Sequence, residues 1–257
     1  MRLIHPKAKS LPTVRHQSST RSEALDRGSL APWWHTTALI VLIVAVAITG
    51  ILLQFAAAPS VALRAPASLT KGSLARISSQ YLPLLLVNWG LTAYVSRLFR
   101  PHDALPELLG RRWATARRAL TDLAFALALL LVIQAFEALS VHELHAGRNA
   151  ALRAVLPSTE AERLTWVLVA LSVGFCEEVV YRGYLQQQLT AFTGRPALGI
   201  ALQALLFGIA HAEQGVGPAL RIALYGLALG VLAHYRKSLL PGIACHVAID
   251  LASALPH

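Results

Sequence analysis

The stretch LTWVLVALSVGFCEEVVYRGYL, residues 164–185, decides how this chain is read. It is long and apolar enough to cross a bilayer, yet it carries Glu177, Glu178 and Arg182. A charged side chain near the centre of a membrane-spanning helix costs roughly 2.5–3.5 kcal/mol on insertion scales. Two adjacent carboxylates there imply partners and a task. Residues four apart share a helical face, whereas neighbours diverge by about 100°. Glu178 and Arg182 are therefore expected to pair on one face, which makes burial of both charges tolerable. Glu177 falls off that face, keeps a freer carboxylate and is the candidate proton acceptor for water.

The whole chain has the composition of a membrane protein. Of its 257 residues, 55% are hydrophobic and 14% charged, with a mean hydropathy of +0.53. Soluble domains carry about 25% charged residues. Apolar segments near 36–57, 81–98, 119–139, 164–188, 197–212, 218–235 and 238–255 predict an all-α, polytopic transmembrane bundle of about seven spans. Polar residues concentrate in the last four, which are expected to enclose a catalytic cavity. Three regions follow: a basic cytosolic tail without order over 1–34, scaffold helices over 35–157, and a working segment over 158–257. Thr159 and Glu162 have the spacing of a capping box and predict a helix start there.

The formal net charge of +10 does not point to nucleic acid, because no aromatic interleaving or helix-turn-helix pattern accompanies it. Basic residues instead gather at alternate ends of the spans, as the positive-inside rule expects. One side holds the tail, the Arg97–Arg118 loop with Arg111, Arg112 and Arg117, then Arg195, Arg236 and Lys237. That side is assigned as cytoplasmic, with the N-terminus inside. The first apolar run lies too deep for an ordinary signal peptide, and Pro59 after Ala56-Ala57-Ala58 argues for a retained anchor. The tail suits anionic lipid. The two cysteines, Cys176 and Cys245, fall inside spans. They read as packing residues rather than a disulfide framework.

Further polar residues recur at helical spacing in the last spans. Phe207 and His211 are four apart near the end of one, and His246 and Asp250 share a face of the last. An acid four residues from a histidine at mid-span requires a partner. His234, beside Tyr235, Arg236 and Lys237, reads as interfacial.

Three segments, FCEEVVYRG (175–183), FGIAH (207–211) and HVAID (246–250), match in order and spacing the EExxxR, FxxxH and HxxxN/D motifs of the CPBP family. The chain thus resembles these intramembrane proteases, which include type II CAAX prenyl endopeptidases and Abi-type proteins. The linker LYGLALGVLAHYRKSLLPGIACH, with its spaced glycines and Ser-Leu-Leu-Pro helix start, is similar as well. The resemblance covers about residues 158–255. It implies that Glu177 and His211 activate a water, that His246 with position 250 stabilises the oxyanion, and that Glu178, Arg182 and Phe207 form a structural bracket. Many CAAX-type members have asparagine where Asp250 stands here, and an ionised aspartate would repel an oxyanion. Asp250 must then be protonated, orient His246, or bind metal.

The leading reading is an intramembrane endopeptidase of a bacterial-type inner membrane that needs no cofactor. Its partners are membrane lipid and a membrane-associated or C-terminally modified protein or peptide, with no nucleic acid. Glu177, His211, His246 and Asp250 also form a zinc-type ligand set with room for water, which makes metal-dependent hydrolysis the mechanistic alternative. A non-catalytic membrane adaptor or immunity protein retaining the fold is the functional alternative, supported by Asp250. A proton relay or small transporter would use the same buried carboxylates but would need a through-path.

Overall fold

The computed structural model describes residues 30–62, 73–98, 104–144 and 155–254. The regular elements among these residues are helices. Helix α1 spans Trp33–Ala62. Helix α2 (Ser73–Arg76) passes through a wide π-type turn (Ile77–Tyr81) into α3 (Leu82–Leu98). The short α4 (Ala104–Leu109) precedes the long α5 (Ala116–Leu144). Helix α6 (Glu160–Glu177) continues through a second π-type turn (Glu178–Leu185) into α7 (Gln186–Thr193). The remaining elements are α8 (Pro196–Ile209), a single 3₁₀ turn (Ala212–Gln214), α9 (Val216–Arg236) and α10 (Leu240–Ser253).

Every apolar segment read from the sequence contains a helix, but among the described residues only four helices are long and apolar enough to cross a membrane by themselves. These are Trp33–Leu52, Ala116–Ser140, Glu160–Thr193 and Val216–Arg236. Helix α3 has 17 residues, while α8 and α10 have 14 each. At 1.5 Å per residue, 14 residues reach about 21 Å, short of a core of about 30 Å. The outer faces of α1, α5 and α6 expose Val41, Leu42, Leu127, Leu131, Leu164 and Leu168, as lipid-facing surfaces do. The tail over residues 1–29 lies outside the described residues. Within them, the Leu30 and Ala31 amides already donate to Gln188 Oε1 at 2.6 and 3.3 Å.

The start of α6 is as the sequence predicts. Thr159 accepts the Glu162 amide, and the Glu162 carboxylate returns to the Thr159 amide, a complete capping box. Arg76 ties α2 to it through Leu156 O at 2.9 Å and Glu162 at 3.3 Å. The core then gathers on the second π turn, whose eight residues are all buried. Val179, Tyr181, Tyr184 and Leu185 pack there with Leu39 and Ile43 of α1, Val95 of α3, Leu108 of α4 and Phe207 of α8.

Polar side chains bind the helices where their backbones approach closely. Gln203 donates to Gly226 O at 2.9 Å and Gln186 to Gly230 O at 3.0 Å, so the spaced glycines of α9 face two buried amides. A methyl on Gly208 would meet Ala219 O at 2.6 Å and Ala223 Cβ at 2.7 Å. Helices α5 and α9 run antiparallel and are latched at both ends. Arg236 reaches Asp122 at 2.6 Å and Arg221 reaches Glu137 at 3.3 Å, fifteen residues further along each helix.

A clasp of backbone hydrogen bonds fixes the start of α10. Arg111 N donates to Lys237 O at 2.8 Å and Leu239 N to Leu109 O at 2.9 Å, while the Ser238 hydroxyl donates to Arg111 O at 2.7 Å. Gly110 sits at φ +71°, and a Cβ there would lie 2.6 Å from Lys237 O. Gly110→Ala is therefore expected to destabilise the protein by about 1–3 kcal/mol. Thermal unfolding in detergent measures it, and an unchanged midpoint would contradict the clasp.

Candidate active site

The three motif segments meet around the imidazole of His246, buried on α10. Its Nδ1 lies 3.1 Å from Glu178 Oε1. Its Nε2 lies 3.7 Å from Glu177 Oε2 and 4.0 Å from Asp250 Oδ2. A carboxylate only accepts, so Nδ1 carries the proton donated to Glu178 and Nε2 faces the other two acids. The two glutamates thus address opposite nitrogens of one ring. Asp250 is also within electrostatic reach of Glu177, Glu178 and His211.

Glu178 and Arg182 pair at 2.9 Å with both side chains fully inaccessible, as the four-residue spacing predicts. The expected bracket has a further contact. Glu178 Oε1 is shared between Arg182 and His246, so the brace holds the histidine directly. The cause is local: the helix widens at Glu178, and the Gln186 amide reaches back five residues to Tyr181 O. Wide turns of this kind are frequent at functional sites.

Phe207 forms the common wall. Its ring centre lies 4.3 Å from the Arg182 guanidinium carbon, a cation–π contact that accompanies a charge with few hydrogen-bond partners. The same ring stands 4.9 Å from His211 and 5.8 Å from His246, edge to face. His211 lies just beyond the end of α8, not within a longer helix as the 197–212 span predicts. Because α8 stops at Ile209, His211 falls beside the ring that also touches His246. Its Nδ1 is 2.8 Å from Phe207 O. A carbonyl only accepts, so Nδ1 holds the proton and Nε2 presents a lone pair.

Among the described residues, Glu177 Oε2 and Glu178 Oε2 are buried without a hydrogen-bond partner. Gly242 leaves the space that Glu178 occupies, since a Cβ there would come within 2.9 Å of Oε2. Gly242→Ala is accordingly expected to displace the carboxylate from His246 and lower any activity at least tenfold, with a smaller loss of stability. A melting curve beside a cleavage assay separates the two, and wild-type activity would contradict the crowding.

Sequence reasoning gave no role to Trp166. Its indole donates to Asp250 O at 2.9 Å, across 84 residues of chain, and fixes α10 against α6. No local pattern marks such a pairing. Cys176 and Cys245 are free and buried, as packing residues would be. His234 contacts Tyr235 at one end of α9 and takes no part in the site. No group of three or more His, Cys, Asp or Glu side chains among the described residues is arranged to hold a metal ion. With Nδ1 of His246 engaged by Glu178, only Nε2 faces Glu177 and Asp250.

Residues 159–252 match the family model described as type II CAAX prenyl endopeptidase Rce1-like. This segment is similar to that family. It begins at the N-cap of α6 and ends inside α10, so it contains all seven residues singled out from the three motifs. The match agrees with the CPBP resemblance of those motifs and implies a protease of the CAAX type. With the apolar helices, it marks an integral membrane protein. No curated protein and no solved structure matches the chain.

Proposed function

We propose that the chain is an intramembrane endopeptidase that hydrolyses a peptide bond in a membrane-associated or C-terminally modified protein. The observation that supports this most is the meeting of Glu177, Glu178 and His246, with Phe207 and His211 against them, inside the Rce1-like segment. In the proposed reaction, Glu177 and the free Nε2 of His211 take a proton from water as its oxygen adds to the peptide carbonyl carbon. The carbonyl electron pair moves to oxygen, where His246, as an imidazolium protonated on both nitrogens, donates through Nε2–H. Collapse of the adduct breaks the C–N bond, and the leaving amine takes up the proton. Asp250 acts through His246, keeping that donor in place, while Glu178 and Arg182 hold the ring from its other nitrogen. No step is routed through a metal; zinc on Glu177, His211, His246 and Asp250 remains the alternative chemistry. Activity that survives exhaustive chelation rejects it.

The proposed setting is a bacterial-type inner membrane with the N-terminus cytoplasmic, supported by the basic residues around the starts of α5 and α10. The test compares membrane proteomes of cells carrying wild-type or Glu177→Ala protein at equal abundance. An uncut substrate is expected to accumulate in the variant. Identical proteomes with an intact cellular phenotype would favour a non-catalytic adaptor.

A further inference from the structure

One end of the bundle carries a cationic surface that the proteolytic reading does not use. The clasp between Leu109–Arg111 and Lys237–Leu239 brings two basic segments, distant in sequence, side by side. Arg111, Arg112, Arg117 and Lys237 are exposed there. Among the described residues no acid forms an ion pair with any of them, because the neighbouring buried acid, Asp122, is taken by Arg236 at 2.6 Å and by the Trp113 indole at 2.9 Å.

One feature makes this concentration of charge unfavourable for the protein alone. Arg117 and Arg118 occupy the first turn of α5, which has no acidic residue, although a helix N-terminus favours negative charge. Lys237 adopts φ +52°, the sole non-glycine residue with positive φ among the described ones; glycine would take that conformation freely. An external anion offsets the charge at the start of α5. The setting identifies it: Trp33, Trp113 and Tyr235 are exposed at the same end, as aromatic residues are at a membrane boundary.

We propose that Arg111, Arg112, Arg117, Arg118 and Lys237 form a rigid site for the phosphate headgroups of anionic phospholipid. The site lies on the turn from which α10 starts, so bound lipid braces the helix that carries His246 and Asp250. Attraction to an anionic headgroup is electrostatic and weakens with salt, whereas a zwitterionic headgroup offers no net charge.

The test uses the full chain purified in zwitterionic detergent. Native mass spectrometry reads retained phosphatidylglycerol or phosphatidylcholine, and thermal unfolding reads the response to each lipid and to inorganic phosphate. The wild type is expected to retain phosphatidylglycerol at least about tenfold better, each removed charge lowering retention about fivefold. Arg111→Gln with Arg112→Gln should lose most of the preference; Arg163→Gln, at the other end of the bundle, should keep it. Lys237→Gly should melt no lower than wild type without lipid, since glycine relaxes the backbone, yet gain less from phosphatidylglycerol. Equal retention of the two lipids, an unchanged preference in the Arg111/Arg112/Lys237 variants, or a response to inorganic phosphate equal to that of the lipid would overturn the proposal.

Discussion

Glu178→Ala is expected to prevent stable accumulation of the protein, whereas Glu177→Ala accumulates normally. The two residues are neighbours, but their partners differ. Glu178 Oε1 holds Arg182 at 2.9 Å with both side chains fully inaccessible, and holds His246 at 3.1 Å. Removing it leaves a guanidinium buried against the Phe207 and Tyr181 rings with no counter-charge of its own. Breaking a buried ion pair from one side costs about 3–5 kcal/mol, a large share of the 5–15 kcal/mol by which domains are typically stable. Arg182→Ala should do comparable damage. Glu178→Leu combined with Arg182→Leu should recover much of the loss, because no lone charge then remains buried. Expression level and unfolding midpoint in detergent give the readout. A Glu178→Ala protein that melts with the wild type would show that the pair does not stabilise the fold.

The second large effect falls on chemistry rather than folding. His211→Ala should lower cleavage of the substrate found by proteomics by about 10²–10⁴-fold, the usual worth of a positioned acid–base group. Its melting midpoint should stay close to wild type, since His211 is only half-buried, beyond the last turn of α8. His211→Gln keeps a polar side chain but supplies no base at neutral pH, and should fail as completely. A His211→Ala protein with wild-type turnover would remove His211 from the mechanism.

Much of this was readable in the residues themselves. The Thr159–Glu162 box, the Glu178–Arg182 spacing and the apolar periodicity are local signals, and the structure follows them. What escaped has no local signature. A wide turn such as Glu178–Leu185 uses the same residue types as an α-helix, so the sharing of Glu178 between Arg182 and His246 could not be seen. Neither could the early stop of α8. Its end depends on the turn at His211–Gly215, with Gly215 at φ +101°, and on the approach of Gly208 to α9. The clasp from Gly110 to Ser238 and the bond from Trp166 to Asp250 join residues far apart in sequence, where periodicity is blind. The family match covers the segment with the local signals and leaves α1–α5 to be understood from packing alone.

The double latch between α5 and α9 has a mechanical consequence. Slippage of one helix past the other by a turn would break Asp122–Arg236 and Glu137–Arg221 together, because the two ion pairs share the same spacing on both helices. The paired spacing therefore opposes sliding of either helix past the other, and α10 rests against both.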